Sequence, residues 1–305
     1  MGYDYSGNGN NWTLSGFNVS TANTTYDIMI DVPEDQAGAN NRGNYATYNP
    51  LVKFNSTPTF SEGNLKITSN AGNYQVGLST IGIPQNSGKW YWETTASGTM
   101  SSGTYSGIMN DAGIRSMTVN SDYVTLYGYG TSTYSTTAGG GNNYYYYAPN
   151  TSLAYSPAVA WNDGDTVCWA YDSDNGRMWI GRNGVWNGNV SGVVGNPSTG
   201  SDPLISSIPS ETWYPASGTY THPTLGVTSW FANFGQRPFT YTVPTGFKSL
   251  CTTNLPTPTI GATTATAANK YFDATLITGT AATQVITNAG GFQPDFIWLL
   301  NCWLR

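Results

Sequence analysis

Residues able to move protons or hold metals are few in this chain, and they are scattered. The lone histidine, His222, sits in "YTHPTLG", beside a proline and away from any nucleophile motif. A catalytic triad needs a nucleophile, a base and an orienting acid in contact, and no Gly-x-Ser-x-Gly elbow occurs. Facing carboxylates would serve glycoside hydrolysis, yet Glu34, Glu62, Glu93 and Glu211 lie far apart in sequence. The run "DSDNG" at 172–176 spaces oxygen ligands like the start of a calcium loop, but it lacks the downstream bidentate glutamate. A hairpin turn is the stronger reading of it. Cys168, Cys251 and Cys302 have no metal-site spacing and cannot all pair, and a buried free thiol is expected at Cys168. These residues point to no catalytic group, no metal and no cofactor.

Aromatic residues are the other candidates. Tyr144, Tyr145, Tyr146 and Tyr147 are consecutive, so they cannot all face one way in a strand. Together with Tyr127 and Tyr129 they form a Tyr, Gly, Ser and Thr mixture like that of antibody-type binding loops. Exposed tyrosines can stack on sugar rings, anchor a protein interface or pack within their own chain. Trp90, Trp92, Trp169 and Trp179 fall in strand-like runs and read as core. Trp186, after an Asn-Gly, and Trp213, in the loop-like "SETWYPA", are the candidates for exposure and contact, although a loop tryptophan often folds back onto a sheet.

The elements that must position these residues follow from composition and pattern. Of 305 residues only 9% are charged and 14% are aromatic, with a net charge of −6. So many aromatics exclude a disordered chain. The few basic residues form no stripe, which excludes a nucleic-acid groove, and no apolar run is long enough to insert in a membrane as a helix. From Leu51 onward short β-branched and aromatic runs recur between turn residues, among them "GKWYWETT", "DTVCWAYD", "RMWIGR", "LGVTSWFANFG" and "FTYTV". Many short strands at this spacing predict an all-β sandwich or jelly roll. In "DTVCWAYD", Val167, Trp169 and Tyr171 face one way and Cys168 and Ala170 the other. Both faces are apolar, so this strand is expected at the centre of a sheet covered on both sides. Two Asn-Gly dipeptides, 175–176 and 183–184, predict tight type I′ hairpins.

Residues 1–50 read as an extended arm anchored by Trp12, Phe17, Tyr45 and Tyr48, and 51–255 as the sandwich. Residues 256–305 read as a linker and a partial β extension carrying Phe296 and Trp298. That last stretch stops too soon to close a second core, and the start reads as internal to a longer protein.

Three motifs carry a resemblance. "GDTVCWAYDSDNGRMWIGRNGVWNG" at 164–188 resembles the signature of SPRY domains, "SGKWYWE" at 87–93 resembles their opening strand, and "WFANFGQRPFTYTVPTGFKSL" at 230–250 their closing segment. The flanking "DYSGNGNNWT", "RGNYATYNPL", "LCTTNLPTPTI", "YFDATLITGT" and "FQPDFIW" resemble segments of structural proteins in tailed-phage virions. The resemblance implies an antiparallel two-sheet jelly-roll sandwich of the SPRY and concanavalin type with a binding or structural role, and no enzyme. Partners would be met by loops at one end of the sandwich, the Tyr-rich stretch above all. It further implies assembly in the host cytoplasm and exposure on the released particle, as part of a fibre or surface appendage. The implied partners are other virion proteins and further copies in a homo-oligomer. The alternative is a carbohydrate-binding module that recognises a host-surface glycan.

Overall fold

A computed structural model describes residues 30–32, 43–52, 58–68, 75–98, 104–110, 128–134, 143–148, 151–154, 162–187, 193–219, 228–256, 267–288 and 290–298. For 104, 128–134, 143–148, 151–154 and 219 it describes the backbone. The chain divides into two compact units, Met1–Leu255 and Pro256–Arg305.

The first unit is an all-β jelly-roll sandwich. Its larger sheet holds, in spatial order, β1 (Thr59–Ser61), β2 (Lys66–Thr68), β13 (Thr228–Asn233), β4 (Lys89–Gly98), β9 (Thr166–Asp172), β10 (Arg177–Arg182) and β11 (Val185–Asn187). These neighbours pair antiparallel, and β14 (Lys248–Ser249) adds to β4 in parallel. The smaller sheet runs β3 (Gln75–Leu78), β12 (Tyr214–Thr219), β5 (Thr104–Met109), β6 (Gly128–Tyr134), β7 (Asn143–Ala148) and β8 (Thr151–Ala154).

The inner faces meet in an aromatic core that includes Trp90, Trp92, Trp169, Tyr171, Trp213 and Trp230. Trp92 and Trp169 sit opposite each other in the β4–β9 register and stack at 5.9 Å, nearly parallel. A polar thread crosses this core. The Trp169 indole N–H donates to Thr94 Oγ1, which meets Ser106 Oγ of the other sheet at 2.9 Å, and Tyr48 OH donates to Ser217 Oγ at 2.7 Å. Each of these buried polar groups is thereby satisfied, which is the condition for burying it at all.

Strand β9 is buried along its whole length. Val167, Trp169 and Tyr171 join the inner core, while Cys168 and Ala170 join a second cluster with Tyr91, Trp179 and Phe247 on the opposite face of the sheet. The two-faced pattern of "DTVCWAYD" is thus observed, and the larger sheet is a middle layer.

Several expectations need correction. "FTYTV" at 239–243 is no strand. It lies between Pro238 and Pro244, and its Thr240 and Tyr241 amides bond to a side-chain carboxylate in place of a ladder. The Tyr-rich stretch, expected as a binding loop, contributes the strands β6, β7 and β8. Tyr144, Tyr145, Tyr146 and Tyr147 all belong to β7. Tyr145 pairs with Ser132 on one side and Ala154 on the other, and Tyr146 with Thr131 and Leu153. The backbone of this run is therefore consumed in two ladders instead of standing free at the end of the sandwich.

The turns and the start of the sandwich also differ. The 183–184 turn is two residues long with both φ positive (49° and 80°), as type I′ requires. The 173–176 turn has four residues, with positive φ only at Gly176. There the Asp172 carboxylate captures the amides of Asp174 and Asn175 and widens the turn. The sandwich begins before Leu51. Tyr45, Ala46 and Tyr48 are buried, and Tyr45 and Tyr48 bridge to Cys251 and Ser79. Between 267 and 298 the described residues contain one short 3-10 turn, Ala268–Lys270, and no strand.

Burial leaves a mark on titration. Burial pushes the Cys168 thiol up from its ordinary 9.0 to about 11, and raises the Tyr48, Tyr91 and Tyr105 hydroxyls above their ordinary 10.0. A group whose pKa is raised on folding stabilises the native state fully below its unfolded pKa and loses that contribution as pH climbs to the folded value. The melting temperature is therefore expected to hold to near pH 9 and to fall between pH 9 and 11. Cys168→Ala should delay the onset. A flat profile to pH 10.5, or an onset unchanged in that variant, would contradict the assignment.

Candidate functional site

The buried carboxylates Glu93, Asp165 and Asp172 are occupied in holding chain to chain. Glu93 on β4 is 2% exposed and lies opposite Cys168 in the register. Its Oε1 accepts from Tyr91 OH at 2.8 Å and from the Tyr241 amide at 2.9 Å, and its Oε2 accepts from the Thr240 amide at 2.9 Å. Asp165, the aspartate of the Gly-Asp motif, pairs with the Arg182 guanidinium and accepts from Asn183 Nδ2 and the Asn162 amide. This ties the turn of the β10–β11 hairpin to the start of β9. Asp172 accepts from the Asp174 and Asn175 amides and from Asn175 Nδ2, with Lys89 at 3.9 Å. The "DSDNG" stretch therefore uses its first aspartate as the clamp of a turn. Glu211 accepts a hydrogen bond from Asn110 Nδ2. His222 lies outside the described residues.

The segment Phe239–Phe247 covers the outer face of the larger sheet. Phe239 meets Tyr91 edge-on at 4.8 Å, Phe247 meets Trp179 edge-on at 6.3 Å, and Trp186 meets Tyr91 at 6.3 Å. Where this cover meets the β10–β11 hairpin, a cleft of roughly 350 Å³ opens. Trp186 and Tyr241 border it, the buried Cys168 lies beneath it, and Asn196, Ser198 and Thr245 line it where the chain is exposed. Thr245 N–H donates to Ser198 Oγ at 3.0 Å and ties the two rim segments together. A methyl group at Gly184, where φ is +80°, would stand 2.5 Å from the Tyr241 ring. Only glycine suits both that backbone and that contact.

The expected site residues separate. Trp186 is half-buried at the cleft. Trp213, a candidate for surface contact, instead folds back into the core. It is 1% exposed, paired with Ile83 through the backbone, and its indole N–H donates to the Pro209 carbonyl at 2.9 Å. That carbonyl, four residues back, satisfies the indole and lets the ring enter the core. Tyr144, Tyr145, Tyr146 and Tyr147 lie away from the cleft in the smaller sheet, on the inner strand β7 between β6 and β8, and Tyr129 lies on β6. Tyr127, Trp12 and Phe17 lie outside the described residues. Phe296 and Trp298 are 81% and 76% exposed. Tyr241, Asn196 and Ser198 escaped the sequence reading. Tyr241 was hidden in an apparent strand, and the bracketing Pro238 and Pro244 were the available signal against one.

Glu93→Gln tests the clamp. The amide keeps the size of the carboxylate but turns an N–H₂ group toward a backbone donor. Losing a charge-assisted bond and stranding a buried amide should cost about 2–4 kcal/mol, read as a lower urea midpoint. A loss below about 0.5 kcal/mol would show that the carboxylate does not hold the cover.

Comparison with known proteins gives structural likeness only. No protein family model matches the chain, and no curated protein does. Among solved structures, the SPRY domain of human HERC1 is similar at 12% identity, with a TM-score of 0.41 over 60% of this chain and 96% of that one. A legume lectin-like domain from Entamoeba histolytica is similar at 11% identity, with a TM-score of 0.36 over 58% of this chain and 87% of that one. The carbohydrate binding module CBM66 from Bacillus subtilis is similar at 8% identity, with a TM-score of 0.31 over 59% and 90%. The structural neighbours of this chain are SPRY domains and related lectin-like jelly rolls.

Proposed function

We propose that this chain is a non-catalytic structural protein of a tailed-phage particle, part of a fibre or surface appendage, which acts through protein–protein contacts as a homo-oligomer. One observation supports the assembly part of the reading, and the virion part rests on the resemblance of the flanking segments. In the unit Pro256–Arg305, Phe272 is 74% exposed, Leu276 98%, Phe296 81% and Trp298 76%. A soluble monomer rarely leaves so much large apolar surface in water. Among the described residues its backbone holds one short 3-10 turn and no strand, so in this reading the apolar side chains, and not a preformed ladder, supply the contact with another chain. The clamping duties of Glu93, Asp165 and Asp172 agree with a role that needs no acid or base. A carbohydrate-binding role is the second reading, favoured by the cleft at Trp186 and Tyr241.

Light scattering of the full chain at micromolar concentration should give a multiple of the monomer mass. The triple substitution Phe272→Ser, Phe296→Ser and Trp298→Ser should give the monomer. A soluble monomeric wild-type chain would overturn the assembly reading. Mass spectrometry of purified particles should find the chain at structural copy number, and its absence from them would overturn the virion reading.

A further inference from the structure

We propose that the cleft between the β10–β11 hairpin and the outer cover binds a neutral sugar ring, free or as one residue of a polysaccharide. The proposal deepens the second reading above and is independent of the assembly reading, since it concerns a different unit and a different partner.

The size fits one or two rings, because roughly 350 Å³ lies at the small end of ligand sites, which span about 300–1,000 Å³. Among the described residues the lining holds no charged side chain. An anionic or cationic ligand would enter without a counter-charge there, and an unpaired charge is costly to desolvate. Two aromatic residues border the space. An aromatic ring at such a border can attract the slightly positive C–H face of a pyranose through its electron-rich face, as it attracts the edge of another ring.

The rim supplies the polar half of the recognition. Asn196 gives its carbonyl oxygen to the Thr199 amide, which leaves its N–H₂ group to donate. Ser198 Oγ accepts from Thr245, which leaves its own hydrogen to donate. The hydroxyls of Thr242 and Thr245 can both donate and accept. Such groups match sugar hydroxyls, which also do both.

The site is also pre-formed, which limits the ordering cost of binding. Glu93 fixes the Tyr241 backbone, Gly184 admits the Tyr241 ring, and a methyl group at Gly181 would stand 3.1 Å from the Trp186 ring. The Thr245–Ser198 bond closes the rim.

Indole N–H signals of the full chain, followed by NMR during titration, test the proposal. The probes are the methyl glycosides of glucose, galactose and mannose, neutral trisaccharides of the same sugars, and methyl glucuronide. At least one neutral probe should shift the Trp186 indole signal saturably, with a Kd of millimolar order. Tighter binding of a trisaccharide than of its monomer would mark a polysaccharide as the source, and equal binding a free sugar. Asn196→Ala alters an exposed rim residue and leaves the core intact, and it should weaken binding at least fivefold. Tyr241→Ala should abolish it. No shift at Trp186 with any neutral probe up to about 50 mM, tighter binding of the glucuronide, or equal binding by Asn196→Ala would each overturn the proposal.

Discussion

The structure depends on one strand that has no solvent face. β9 buries every residue from Thr166 to Asp172, so the sheet around it must be covered twice. The smaller sheet supplies one cover through the aromatic core. The other is an irregular strip, Phe239–Phe247, and irregular backbone over an apolar face leaves amides without ladder partners. Glu93 answers that need. Its carboxylate sits on the outer face of β4 and accepts both stranded amides and the Tyr91 hydroxyl.

This explains the concentration of aromatic residues between Trp90 and Trp186. Trp92 and Trp169 fill the inner layer, Trp179 the outer one, and Trp186 closes the edge where the outer layer ends. It also explains where the carboxylates went. In a chain with so few charges, Glu93, Asp165 and Asp172 are each bonded to the turn or strip they hold, so their chemistry is spent on shape. The two surfaces proposed to be functional then lie where layers end, at the cleft beside Trp186, and in the unit that follows Leu255.

Much of the sandwich was legible because its signals are local. Alternation in "DTVCWAYD" states two apolar faces, and Asn183-Gly184 states a type I′ turn. What escaped the sequence depends on distant partners. "FTYTV" alternates like a strand, and only Glu93, nearly 150 positions away, makes it a strip. Tyr145 and Tyr146 sit in a composition typical of loops, and the ladders to β6 and β8 make them strand residues. Trp213 looks like a loop residue until the Pro209 carbonyl satisfies its indole. Tyr48 was legible as an anchor, but not its partner, since its hydroxyl reaches Ser217 across 169 positions. The wide turn at Asp172 was missed because an Asn-Gly pair says nothing of a carboxylate three residues earlier. The cleft was invisible for the same reason: its two aromatic residues come from segments more than fifty positions apart.

The layered arrangement is tested most directly by native-state hydrogen exchange at Thr240 and Tyr241. Both amides lie in a segment without secondary structure, where exchange is ordinarily fast. If the Glu93 carboxylate holds the outer cover onto β9, these two amides should be protected to the same degree as Val167 to Tyr171 and should exchange only when the whole sandwich opens. Exchange at the rate of an exposed loop, while β9 stays protected, would contradict the account.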